Sequence, residues 1–159
     1  RFISMTDCPL CTDRGGELIA EYAPHFRVIR ASDAHFPAFY RLIWQPHVAE
    51  FSDLNADERA LCMQAVAAIE SVLRQHLPAH LQPTKINLAS LGNMTPHLHW
   101  HVIPRWREDR CFPNPIWAPP SRTAAGITAA TDPTRARQLR EELEKRLGPS
   151  AMIENGGQA

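Results

Sequence analysis

Apolar and polar positions change period several times along this 159-residue chain. From Glu17 to Tyr22 and from Phe26 to Arg30 the runs are short and strand-like, with Ala23-Pro24-His25 between them, which predicts an antiparallel pair joined by a turn. Tyr40 to Trp44 predicts a third strand, ended by Pro46. The period then lengthens. Leu61, Ala65, Ala68, Ile69, Val72 and Leu73 recur at three- and four-residue spacing on one helical face, Asn55 and Glu58 form a capping box at its start, and Pro78 stops it. A strand pattern returns over Lys85 to Leu91, breaks at Gly92-Asn93, and resumes from His97 to Trp106. Strands, one helix, then strands predict an α+β fold with a sheet of about five antiparallel strands and the helix packed on one face.

The flanks are less regular. Residues 1 to 14 read as an irregular lead. From Cys111 to Pro133 prolines and alanines predict an extended arm on the surface, since "FPNPIWAPP" has too many prolines for a central strand. A last helix is expected from Pro133 to Leu147, with Asp132 as its cap and Gly148 just past its end, followed by a frayed tail after Ser150. The length suits one core, so residues 1–110 and the arm with its helix, 111–159, are expected to form one domain.

Seventeen basic and seventeen acidic residues cancel to a formal charge of zero, which lacks the footprint of a protein that grips long nucleic acid. With 8% aromatic residues the chain also lacks the stacking platform of a single-strand binder. No apolar run approaches the roughly 20 residues that span a bilayer, and the start does not resemble a signal peptide. A cytoplasmic protein with no membrane partner is expected. In that setting Cys8-Pro9-Leu10-Cys11 suggests metal or redox chemistry before a disulfide.

Chemistry concentrates in "HLHWHVI". On a strand His97, His99 and His101 project to one side, about 6.6–7 Å apart, while Leu98, Trp100 and Val102 face the core. Three protonated rings in a row would repel one another, so the arrangement suits a metal, a bound anion or a proton-transfer chain.

His-φ-His-φ-His-φ-φ, with φ apolar, resembles the motif of the histidine triad superfamily of nucleotide hydrolases and transferases. The segments "WQPHVAEFSDLNADE" and "HVIPR" extend the resemblance over residues 8 to 106. It implies the histidine-triad fold, with His99 as a nucleophile toward the α-phosphorus of a purine nucleotide and His101 contacting phosphate oxygen and assisting the leaving group. Dinucleoside polyphosphates such as diadenosine tetraphosphate, adenosine phosphoramidates and aminoacyl adenylates are the substrate classes it implies, and a homodimer is the implied assembly. Asn93 stands where the family commonly has a phosphate-contacting glutamine, and Met94 where it has a hydroxyl, with Thr95 one residue on. Asn87 is a further substrate-binding candidate, and Trp117 in "IWAPP" resembles the family's Trp-Pro-Pro segment, which approaches the partner subunit's site. The resemblance also implies zinc, held by Cys8, Cys11, His47 and His97 as a closed Cys₂His₂ set. The rival reading is a non-catalytic, zinc-stabilised nucleotide-binding scaffold.

Overall fold

The computed structural model describes residues 4–13, 15–123 and 133–148. Its centre is a five-stranded antiparallel sheet in the order β1-β2-β3-β5-β4, built from β1 (Glu17–Tyr22), β2 (Phe26–Arg30), β3 (Tyr40–Trp44), β4 (Lys85–Ala89) and β5 (His99–Arg105). Helix α2 (Ala56–His76) packs on one face, burying Cys62, Ala65, Val66, Ala68, Ile69, Val72 and Leu73 against Phe26, Val28, Leu42, Trp44, Leu98 and Val102. The expected capping box is present: Asn55 Oδ1 accepts from the Glu58 backbone N–H at 3.0 Å, and the Glu58 carboxylate accepts from the Asn55 N–H at 2.9 Å. Helix α3 (Pro133–Leu147) lies beside α2 and adds Leu139 and Leu143 to the same core. Gly148 follows it at φ 86°, while the expected cap, Asp132, and the tail after Ser150 lie outside the described residues.

The lead is not irregular throughout. A 3₁₀ turn (Met5–Asp7) precedes α1 (Pro9–Thr12), a single helical turn that contains Cys11 and starts directly after Cys8. Pro9 supplies the fixed φ favoured at a first helical position, and the Cys11 and Thr12 N–H groups both reach the Cys8 carbonyl, at 3.0 and 3.1 Å. Leu10 and Cys8 then pack on Ile29 and Ile43, on the sheet face opposite α2.

The C-terminal segment also differs from an extended arm over its described part. Residues 111–121 fold back in successive turns: Asn114 N–H bonds to Cys111 O, Ala118 N–H to Pro115 O and Ser121 N–H to Arg110 O, all between 2.8 and 3.0 Å. The anchor is a buried ion pair at the end of β5. Arg105 donates to both carboxylate oxygens of Asp109 at 2.7 and 3.0 Å, and Asp109 accepts from the N–H groups of Trp106, Cys111 and Phe112. A turn whose donors converge on one carboxylate cannot remain extended.

Candidate functional site

Strand β5 starts at His99, two residues later than the hydrophobic pattern predicts. His97 and Leu98 lie outside the regular ladder yet are still held by main-chain bonds, Trp44 N–H to Leu98 O and Leu98 N–H to Val48 O. His97, His99 and His101 are all buried. The structure gives each ring separate work.

His97 donates Nε2–H to the Trp44 carbonyl at 2.5 Å. A carbonyl oxygen only accepts, so this bond fixes the tautomer and leaves a lone pair on Nδ1. That Nδ1 lies 3.5 Å from Cys8 Sγ, 3.4 Å from Cys11 Sγ and 3.2 Å from His47 Nδ1, with Cys11 Sγ and His47 Nδ1 also 3.2 Å apart. All four ligand atoms fall within 4.8 Å of one another. Zn–S bonds of about 2.3 Å and Zn–N bonds of about 2.0–2.1 Å in a tetrahedron set neighbouring ligand atoms about 3.3–3.8 Å apart. The donor set therefore fits a structural zinc: two cysteine sulfurs, two imidazoles, no fifth group among the described residues, and a backbone carbonyl orienting one of the rings. α1 supplies the cysteine turn, the chain after β3 supplies His47, and the entry to β5 supplies His97.

His99 is oriented by the same logic. Its Nδ1–H donates to the His97 carbonyl at 2.6 Å, so the neutral ring carries its lone pair on Nε2. Burial lowers its pKa from the ordinary imidazole value, the His97 carbonyl works the other way, and the nearby Arg41 charge lowers it further. His101 is pushed down to about 3, by burial first and then by the His99 and Arg41 charges. Both rings are neutral at physiological pH, which a nitrogen nucleophile requires.

His101 packs edge-on to His99, with ring centroids 4.8 Å apart, and contacts Phe39 at 5.5 Å and Trp117 at 5.1 Å. Trp117, 50% exposed, thus covers the triad of its own chain. Arg41, opposite His101 on β3, donates from Nε to His101 Nδ1 at 3.3 Å. A guanidinium only donates, so His101 keeps its proton on Nε2.

The remaining candidates are less closely gathered. Asn93 and Met94 are exposed on the turn before His97, and Thr95 is half-buried, its carbonyl accepting the His97 N–H at 2.8 Å. Asn87 is opposite Ile103, two rungs from the Ala89–His101 pair, and its Oδ1 accepts from Arg105 Nη1 at 2.8 Å. Reading the sequence missed Arg41 and Ser90, whose hydroxyl donates to the His99 carbonyl at 2.8 Å. Arg41 did leave a signal, a charged residue at the second position of a strand whose other positions are buried and apolar.

The HIT domain family matches residues 18–108 of the chain. Among curated proteins, none matches. Solved structures share the fold. The histidine triad protein blr8122 from Bradyrhizobium japonicum is 26% identical over 84% of this chain and 91% of its own, with a TM-score of 0.59. A histidine triad protein from Marinobacter aquaeolei is 22% identical, covering 84% and 92%, with a TM-score of 0.60. A zinc-bound histidine triad family protein from Mycobacterium smegmatis is 16% identical, covering 89% and 96%, with a TM-score of 0.51.

Proposed function

The chain belongs to the HIT domain family, and from that premise we propose that it is a nucleotide hydrolase or nucleotidyl transferase acting through a nucleotidyl-histidine intermediate on His99. The observation that carries this reading is the pair of opposed tautomers: His99 presents a lone pair on Nε2, and its neighbour His101 presents an Nε2–H. In the first step His99 Nε2 forms a bond to the α-phosphorus and the bond to the leaving group breaks. The His101 Nε2–H donates a hydrogen bond to the departing atom, which leaves with the electron pair of the broken bond and, where it is an amine, takes its proton from water. The ring of His99 becomes cationic on phosphorylation, and the His97 carbonyl bonded to its Nδ1–H stabilises that charge. Water then attacks phosphorus, the N–P bond breaks to return His99 to its neutral form, and the proton lost by the attacking water passes to solvent. Asn93, Thr95, Asn87 and Trp117 are proposed substrate contacts.

Zinc on Cys8, Cys11, His47 and His97 would hold the lead against the entry to β5 and stay outside the chemistry. The relative from Mycobacterium smegmatis carries zinc, which favours that metal for this donor set. A homodimer is proposed as the assembly: β4 is an edge strand, and Leu88 on it and Leu91 after it are 43% and 50% exposed. Light scattering at two concentrations checks it.

The experiment is intact-protein mass spectrometry of rapidly quenched mixtures with diadenosine tetraphosphate and with adenosine phosphoramidate. An added AMP mass in the parent and none in His99→Ala supports covalent transfer. No adduct and no released AMP from either substrate favours the non-catalytic nucleotide-binding scaffold.

A further inference from the structure

Arg41 and Arg105 both point into the sheet face that carries the triad, and their surroundings differ. Arg105 is 1% exposed, and both Asp109 oxygens, Asn87 Oδ1 and the Asn114 carbonyl take four of its five donors. Arg41 is half-buried with a single hydrogen bond, Nε–H to His101 Nδ1 at 3.3 Å, and no carboxylate within ion-pair distance among the described residues. Its guanidinium lies over the Phe39 ring at 4.9 Å, which holds the plane in place. Burial lowers its pKa, and Asp33 acts on it through space in the other direction. A guanidinium has five N–H donors, so four remain for a ligand. Leaving a partly desolvated charge unmatched costs stability unless an anion arrives to meet it.

We infer that Arg41 is a specificity-determining residue, which holds His101 in its Nε2–H tautomer and receives the phosphate of an anionic leaving group, so that the site selects nucleoside polyphosphates over nucleotides that release a neutral amine. The inference rests on the nucleotidyl-transfer reading and names its substrate class. His101 is the group between the two: its Nε2–H donates to the leaving atom, and Arg41 donates to its other nitrogen, Nδ1, on the same sheet face. An amine leaving group has no charge for Arg41 to meet.

The test compares kcat/KM of the parent, Arg41→Met and Arg41→Lys on diadenosine tetraphosphate and adenosine phosphoramidate. A charge-assisted hydrogen bond corresponds to roughly a 10- to 100-fold effect. Arg41→Met is expected to lose at least about tenfold more on the tetraphosphate than on the phosphoramidate, with Arg41→Lys recovering part of that difference. Equal losses on both substrates, or none, overturn the inference. Nitrogen-15 spectra of labelled histidine report the tautomer separately: an unprotonated His101 Nδ1 is expected in the parent and a tautomer mixture in Arg41→Met, and a protonated Nδ1 in the parent overturns the positioning role. If the parent cleaves neither substrate, the covalent reading falls while Arg41 is still judged by calorimetric binding of ATP against AMP. Loss of the preference for ATP in Arg41→Met upholds its anion contact, and an unchanged ratio overturns it.

Discussion

The carbonyl oxygen of His97 accepts the Nδ1–H of His99 at 2.6 Å, while the His97 ring turns its Nδ1 to the two cysteines. One residue thereby joins the metal-binding cluster to the proposed nucleophile. The ring faces the cluster and the backbone orients the His99 ring, so the metal-binding cluster and the orientation of His99 share one short segment of chain.

Replacing the nucleophile tests the role of His99 directly. His99→Ala should lower kcat on any cleaved nucleotide by at least about 10³-fold, because the proposed nucleophile is gone, while nucleotide affinity changes little. Single-turnover AMP release together with equilibrium binding measures both. Turnover within tenfold of the parent would rule out attack by His99.

Removing the sulfur ligands tests the metal. Cys8→Ala with Cys11→Ala should eliminate one zinc per chain and lower Tm by about 5–15 °C, since the lead would lose its tie to β5. A chromogenic chelator counts the metal and calorimetry reads Tm. A parent that contains no zinc and a double variant of equal Tm would contradict the assignment.

Asp109 should govern how residues 106–118 fold. Burial alone would raise its pKa, but the Arg105 guanidinium and the N–H groups of Cys111, Phe112 and Trp106 outweigh that and hold it below the usual carboxylate range. A depressed carboxylate pKa contributes stability above the unfolded pKa, and that contribution is lost as pH falls through the folded value. Asp109→Asn leaves Arg105 buried without its countercharge and should cost about 3–5 kcal/mol at pH 7, with a smaller penalty in acid. Urea denaturation at both pH values reads the difference.

His101 contributes acid sensitivity by a different route. Its folded pKa is about 3 against an ordinary 6.5, so the neutral ring stabilises the fold above about pH 6.5, and that stability drains away as pH falls toward 3. In His101→Gln the decline in stability between pH 6 and 4 should be shallower than in the parent. Parallel curves would show that the ring is not held neutral by the fold.

Trp117 is half exposed and packed on His101, which makes it a removable cover. Trp117→Ala should weaken nucleotide binding by about 5- to 50-fold if its open face carries a base, with Tm changed by less than about 3 °C. Fluorescence titration with AMP separates this from simple packing, for which Tm would fall and affinity would hold.

Local patterning determined the elements of the fold, and the family resemblance supplied the donor list. The five strands, the capped central helix and its buried face follow from residues close in sequence, because strand and helix periods and the Asn55–Glu58 box are local properties. The triad was legible through a motif whose spacing follows strand geometry, and Cys8, Cys11, His47 and His97 as one set only through the family resemblance which that motif carries. Tertiary structure decided what spacing cannot encode. Which nitrogen of each histidine carries its proton depends on a carbonyl or a guanidinium brought in from β3 or the preceding turn. The turns after β5 depend on Arg105 and Asp109 being buried together, where an unpaired charge is costly, so a proline-rich stretch that reads as extended closes over the site. Arg41 reads in sequence as one more charged residue in a strand, and only its register opposite His101 makes it part of the site.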